Sequence, residues 1–359
     1  MEKNDIIHNA YFYESANYML KKYKKKVYFK TSLSPKIELD METSPSMKYD
    51  DKADLPRTNF HWGQRKLLMS EIIFLMDYMH IYPKTNLIIY VGSAAGMHIP
   101  FLRALFAKKK KFDFILIDPA KFSKRVKDEE KRKDGLFMVI NDFFTDKMAQ
   151  ELYKKYKGNY FFLSDIRRGD DLCEKDVRED MKMQADWIKI LKPNASLLKF
   201  RLPWEKTKQK YFVPSKIYFQ LYGRPNTTET RLVVDKKDKF KEMIWDCKKY
   251  EDICFYFNSI TRRRYFKHDV SLAGFCHCFD CSAEILVWKK FLKFYGEDDK
   301  DTKIIKKFME KTTAQCFELK YDITPFEKYI EILSKKNYDK RFFREYKKSR
   351  EKSLMIKKR

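Results

Sequence analysis

The sequence predicts an α/β fold of the Rossmann-like class, with a mostly parallel central sheet and helices on both faces. Three observations carry this. Short, continuously apolar runs recur along the chain, helical stretches alternate with them, and the first run opens into a glycine turn. Strands buried on both faces read as unbroken apolar runs, and parallel strands need crossovers that are usually helices.

The elements follow in order. Residues 1–56 are poorly patterned: 11–29 is aromatic and basic, and 32–55 carries two proline-containing turns. They read as an extension lying on a body at 57–298. Gln64-Arg65-Lys66 opens an amphipathic helix with Leu67, Leu68, Ile72, Leu75 and Met76 on one side, ending before Pro83. Apolar runs at 87–91, 114–117, 137–140, 160–163 and 197–200 predict strands, and 99–108, 145–156 and 181–191 predict helices. Residues 230–234 predict a further strand at the far side of the sheet. Beyond Lys236 the pattern turns helical, and 299–359 reads as a basic helical extension. Its last part, 334–359, holds twelve basic and three acidic residues.

Composition narrows the partners. The chain has 359 residues, with 77 Lys and Arg against 51 Asp and Glu, a formal charge of +26. A lysine-rich proteome would raise Glu as well, so a net charge this large favours a polyanion. With 44% hydrophobic residues, 30 Phe, 23 Tyr and 5 Trp, there is ample core. The 7 cysteines are odd in number and irregularly spaced, which is no disulfide framework. No stretch is apolar enough to span a bilayer and no signal peptide is evident, so a soluble cytoplasmic protein is expected. Cys276-His277-Cys278-Phe279-Asp280-Cys281 has the residue types of a zinc site. No second cysteine pair follows at finger spacing, and on a helix His277 leaves the face shared by Cys278 and Cys281. No metal is expected.

The 87–91 strand runs into Gly92-Ser93-Ala94-Ala95-Gly96. This is G-x-x-x-G, neither the G-x-G-x-x-G of dinucleotide enzymes nor a G-K-[ST] phosphate loop, so NAD and ATP are disfavoured. A short glycine loop after the first strand suits S-adenosyl-L-methionine. Asp118 ends the second strand about 25 residues past the loop. A carboxylate there can accept from both hydroxyls of a ribose.

Four ionisable residues stand at positions tied to the sheet: Lys66, Asp165, Lys199 and Glu229. A lysine within the apolar run Leu197-Leu198-Lys199-Phe200 is costly unless paired, and carboxylates at neighbouring strand ends would offset that cost. Lysine can act as a general base where desolvation and nearby positive charge make the neutral amine accessible.

These residues resemble a known family. The segments Gly63-Gln64-Arg65-Lys66-Leu67-Leu68, Tyr90-Val91-Gly92-Ser93-Ala94-Ala95-Gly96-Met97-His98, Ile117-Asp118, Leu163-Ser164-Asp165-Ile166-Arg167, Leu198-Lys199-Phe200-Arg201 and Glu229-Thr230-Arg231-Leu232 are similar to the poxvirus cap-specific mRNA (nucleoside-2′-O-)-methyltransferases. Members of that family double as the small regulatory subunit of poly(A) polymerase. The resemblance spans about Phe60 to Tyr295. It implies a Lys-Asp-Lys-Glu tetrad of Lys66, Asp165, Lys199 and Glu229, with Lys199 as general base toward a ribose 2′-hydroxyl. It implies contacts from Gln64, Tyr90, Gly92, Ser93, Gly96, His98, Asp118 and Asp165 to S-adenosyl-L-methionine. Where the family has Asp-Gly-Arg, this chain has Asp118-Pro119-Ala120, so the arginine's contact is lost or supplied elsewhere.

The family holds the cationic N7-methylguanine of the cap between two aromatic rings, with two acids on its N–H groups. The matching positions are Trp204 for one ring and Glu205 and Glu251 for the acids; Tyr49, ahead of the resembling span, is the candidate for the other ring. Arg167, Arg168 and the run Arg262-Arg263-Arg264 are candidates for transcript phosphates. Capped mRNA is the expected substrate, and a poly(A) polymerase catalytic subunit or other viral transcription protein the expected partner. Two other functions fit the same residues: methylation of ribosomal or transfer RNA without a cap pocket, and a non-catalytic RNA-binding role in polyadenylation.

Overall fold

The computed structural model describes residues 34–50, 63–168, 173–223, 227–264, 266–270 and 277–316. The 334–359 stretch, Cys276 and most of the 1–56 extension lie outside these.

The first element is helix α1 (Gly63–Tyr78). It was expected to be amphipathic, yet it is buried on every side, including Arg65, Lys66, Ser70 and Glu71. A helix enclosed all round must satisfy its polar groups within the protein, and those groups build much of the site.

Five strands follow in βαβ order: β1 (Leu87–Val91), β2 (Asp113–Ile117), β3 (Phe137–Ile140), β4 (Tyr160–Ser164) and β5 (Ala195–Phe200). Helices α2 (Ile99–Phe106), α3 (Lys124–Lys131), α4 (Asp146–Tyr156) and α5 (Glu174–Leu191) connect them. These five strands pair in parallel in the order β3-β2-β1-β4-β5. The chain then forms β6 (Lys208–Phe212), β7 (Lys216–Phe219), β8 (Thr230–Asp235) and β9 (Glu242–Asp246). β8 lies antiparallel beside β5, and β7 antiparallel beside β8, so among the described residues seven strands make the main sheet. β6 and β9 form a separate pair. The order matches the Rossmann-like expectation, with two corrections. The strand at 230–235 is internal, and the far edge is β7, which the sequence pattern did not single out. α3 was also not anticipated, because Lys124–Lys131 has one apolar residue, Val126, to mark a buried face.

The edge at β7 is covered. Leu39 donates its backbone N–H to Ile217 O at 2.8 Å, and Phe219 donates to Ile37 O at 2.8 Å. The 34–50 segment thus occupies a ladder that would otherwise be open. The β6–β9 pair docks through Phe200, whose ring lies 5.7 Å from Tyr211 and 4.9 Å from Trp245. The chain closes with α6 (Cys247–Ser259), α7 (Phe279–Tyr295) and α8 (Thr302–Cys316). α8 lies beyond residue 298, yet its Thr313 hydroxyl accepts from the Arg65 guanidinium of α1 at 2.7 Å.

Among the described residues no helix is long and apolar enough to cross a membrane.

Candidate active site

The parallel strands end in step. Gly92 N donates to Ile117 O at 2.9 Å, Asp165 N to Val91 O at 3.0 Å, and Asp118 N to Ile140 O at 3.1 Å. Gly92, Asp118 and Asp165 therefore stand side by side at the carboxyl edge of the sheet, where ligands of open α/β folds bind. A cavity of about 720 Å³ opens there, bordered by Gly92, Asp118, Asp165, Lys66, Lys199 and Glu229.

Gly92 has a φ of +76°, and a Cβ on it would lie 2.7 Å from the carbonyl carbon of Asp165. Glycine is needed both for the turn and for close approach of β1 to β4. The Asp118 carboxylate accepts from Ala94 N at 2.9 Å and from Ala120 N at 2.8 Å. It fastens the glycine loop to the end of β2, and each oxygen keeps a further lone pair toward the cavity.

The four residues expected as a tetrad meet here. Lys66 Nζ lies 2.7 Å from Glu229 Oε1. Lys199 Nζ lies 3.1 Å from Asp165 Oδ1 and 3.7 Å from Glu229 Oε2. The antiparallel register explains the convergence: Lys199 faces Arg231 across β5 and β8, and Glu229 directly precedes β8.

Arg231 completes the cluster. Its Nη2 lies 2.7 Å from Asp165 Oδ1 and 3.7 Å from Glu229 Oε1. Gln220, at the end of β7, donates to Glu229 Oε1 at 2.9 Å. Arg167, expected to hold transcript phosphate, instead pairs with Glu229 Oε2 at 3.0 Å. Lys66, Lys199 and Arg231 thus surround two carboxylates, with Arg167 half-exposed beside them. Burial pushes both acids up, but the surrounding cations override it. Asp165 is brought down to about 2, chiefly by Arg231 and Lys199. Glu229 is held well below the usual carboxylate range, chiefly by Lys199 and Lys66. Burial pulls the Lys66 amine down, against the attraction of Glu229 and Asp165.

Several expected cofactor contacts stand behind the cavity wall. His98 is fully buried; its Nδ1 lies 2.7 Å from Gln64 Oε1, and its Nε2 lies 3.0 Å from Glu71 Oε1. Tyr90 donates its hydroxyl to the same Glu71 oxygen at 2.8 Å. Gln64 reaches the cavity, whereas Tyr90, Ser93, Gly96 and His98 do not border it. The latter four shape the loop and its support.

The residues expected for a cap pocket do not border this cavity. Trp204 is 55% exposed, with Arg201 stacked 4.1 Å from its ring centre and its indole N–H donated to Thr228 Oγ1 at 3.2 Å. Tyr49 is 39% exposed; its backbone N–H binds Asp252 Oδ1 at 2.8 Å, and its ring meets Phe255 edge-on. Glu205 is paired with Arg178, and Glu251 with Lys248 at 2.6 Å. Arg168 borders the cavity and pairs with Glu179 and Asp180. Arg262 is not available to phosphates, since it is buried against Asp280 at 3.0 Å. In the Cys-His segment, Cys278 caps α7 and His277 Nδ1 lies 3.0 Å from Phe266 O. Among the described residues no group of three or more His, Cys, Asp or Glu is placed to hold a metal.

Two of the missed residues had signals. Glu229 and Arg231 are two apart on a strand and so share a face. Gln64 and Glu71 are seven apart and share a face of α1. Gln220 had none, because its strand was not foreseen.

The chain is similar to known proteins. Residues 36–312 match the family described as poly A polymerase regulatory subunit. A cap-specific mRNA (nucleoside-2′-O-)-methyltransferase of fowlpox virus is 30% identical over 195 residues, 52% of this chain and 62% of the relative. Proteins of the same name from two strains of myxoma virus are 28% identical over 245 residues, 64% of this chain and 68% of theirs. The chain thus spans less than two thirds of the fowlpox relative's length.

Proposed function

We propose that this chain, which belongs to the poly(A) polymerase regulatory subunit family, is an S-adenosyl-L-methionine-dependent enzyme that methylates a ribose 2′-hydroxyl of capped mRNA. The observation that carries the reading is the meeting of Lys66, Asp165, Lys199 and Glu229 in one cavity that Gly92 and Asp118 also border.

The cavity suits such a donor. Its volume of about 720 Å³ is that of a small-molecule site. Asp118 offers acceptor capacity for ribose hydroxyls, and Phe143 and Phe144 supply apolar surface for a base. When bound, S-adenosyl-L-methionine supplies an electrophilic methyl group. In its neutral, deprotonated form Lys199 Nζ, placed by Asp165 and Glu229, would accept the proton released by the 2′-hydroxyl as its oxygen attacks. Lys66, Arg231 and Gln220 fix the two carboxylates and so fix Lys199. Holding hydroxyl and methyl in line supplies much of the rate enhancement.

Trp204 and Tyr49 are the rings proposed for the N7-methylguanine, with Glu205 and Glu251 as the acids. Both acids must exchange a present cation for the base. The methyltransferase body is assigned to 57–298, with extensions at 1–56 and 299–359, acting in the cytoplasm. The family description favours a second role beside the first, as partner of a poly(A) polymerase catalytic subunit.

The test offers labelled S-adenosyl-L-methionine with short RNAs bearing an N7-methylated cap, an unmethylated cap or none. Label is expected in the first. Equal label in all three overturns the cap reading, and no label with intact RNA binding overturns the enzymatic one. Lys199→Ala is expected to abolish transfer while capped RNA still binds.

A further inference from the structure

Parallel strands all enter the sheet from one side, so the turns leading into β2, β3, β4 and β5 collect at the edge opposite the catalytic mouth. The turn leaving antiparallel β8 lies there too: Lys236 N donates to Asn194 O at 3.0 Å, and Asn194 Nδ2 to Asn159 Oδ1 at 3.2 Å.

Four of these turns place a lysine in the left-handed region. Lys133, Lys157, Lys192 and Lys239 have φ of 52°, 52°, 46° and 51°. A Cβ is unfavourable there, and glycine or asparagine is the usual choice. Among the described residues six non-glycine residues have positive φ, and all four lysines in that group stand at this one edge. Lysine at a helix end ordinarily answers the helix dipole. That need is already met, since α4 carries Lys154 and Lys155 in its last turn and α5 carries Lys189.

The four lysines are exposed, and none has an ion-pair partner among the described residues. Three acids of the same edge are spent elsewhere: Asp113 on Leu136 N, Asp134 on Lys111, and Asp235 on Lys237 N; Asp238, beside Lys239, offsets part of the charge. None of the exposed large apolar residues lies in these turns. The edge therefore lacks the anchors of a protein interface and the apolar side chains that enter a membrane.

We infer that this edge is a second RNA-binding surface, on which the four lysines take phosphates of a transcript whose 5′ end lies at the catalytic mouth. The inference rests on the reading of RNA as substrate, and not on methyl transfer. Helix α5, with 18 residues, joins the two edges across roughly 27 Å. A short oligonucleotide at the mouth cannot reach the lysines, and a long one can.

The experiment measures binding of the full chain to long uncapped single-stranded RNA of about 40 nucleotides over a salt series, without methyl donor. The variant is Lys133→Gly, Lys157→Gly, Lys192→Gly and Lys239→Gly together, which should leave Tm unchanged or raised because each glycine accepts its turn. For the long RNA, the slope of log K against log salt is expected to fall by about 3, near 0.7 for each of four lost contacts. A fourfold Lys→Arg variant is expected to bind the long RNA as the parent does. Unchanged slope for the long RNA overturns the inference. Unchanged RNA binding with loss of binding to an acidic polymerase subunit overturns it in favour of protein docking. Should the parent chain transfer no methyl group while the long-RNA slope still falls, the methyltransferase reading fails and this one stands.

Discussion

Arg231 Nη2 lies 2.7 Å from Asp165 Oδ1, the same oxygen that Lys199 Nζ reaches at 3.1 Å. One carboxylate oxygen thus carries both the residue proposed as base and a permanently charged guanidinium. Arg231→Met removes the second partner and leaves Asp165 and Glu229 with less compensation in a buried setting. Breaking a buried ion pair from one side costs about 3–5 kcal/mol. Urea unfolding should show a loss of that size, and transfer should fall with it. Arg231→Lys is expected to recover part of the stability but less of the activity, because an ammonium cannot reproduce the planar fork. Full activity in Arg231→Met would remove Arg231 from the site's machinery.

Acid should act through Asp165 and Glu229. Both are lowered in the folded state, Asp165 from 3.8 to about 2. A lowered carboxylate contributes stability that is whole above its unfolded pKa and is lost as pH falls through the folded one. For Asp165 the contribution is on the order of 2 kcal/mol, present above about pH 4 and gone near pH 2. The urea midpoint of the parent chain should therefore fall between those pH values more steeply than that of Asp165→Asn. Parallel curves for the two proteins would refute the assignment.

The fold was legible because its parallel strands are buried on both faces and leave unbroken apolar runs. The meeting of Lys66, Asp165, Lys199 and Glu229 was legible because charged residues inside or beside those runs need a partner. What escaped the sequence is what lacks a run. β7 (Lys216–Phe219) opens on a lysine and leaves three apolar residues, against the four of β3, and with it went Gln220. Arg167 and Arg262 read as cations for transcript phosphates because their partners, Glu229 and Asp280, are 62 and 18 residues away in the chain. His98 read as a cofactor contact because it belongs to the glycine-loop motif, while its imidazole turns back onto Glu71. Motif membership identifies a neighbourhood, and only the backbone path decides which side chains of it face the cavity.

Gly92→Ala should be severe for two separable reasons. The φ of +76° is strained for alanine, and the new methyl would meet the Asp165 backbone at 2.7 Å. Neither neighbour is a flexible side chain that can move aside, so β4 must shift and carry Asp165 with it. A stability loss of about 2 kcal/mol or more is expected from the conformation and overlap together. Transfer should fall further than stability explains, since displacement by as little as 1 Å can cost about 100-fold. A variant of normal activity and midpoint would show that the loop is not held against β4.

The last prediction concerns the residue next to Lys66. Arg65 is fully buried, with Nε 2.8 Å from Glu284 Oε2 and Nη2 2.6 Å from Glu284 Oε1. Tyr222 and Trp288 also donate to Glu284, at 2.5 Å and 3.1 Å. The pair ties the first turn of α1 to α7, and the Thr313 contact ties it to α8. Glu284→Gln leaves the Arg65 charge buried without its counterion, at a cost of about 3–5 kcal/mol. Adding Arg65→Met removes that charge, and the double variant should be more stable than Glu284→Gln alone. Activity separates anchoring from packing. If the bidentate pair sets where Lys66 begins, the double variant recovers its urea midpoint but not its rate. Recovery of both would mean that α1 is held in place by its apolar contacts without the pair.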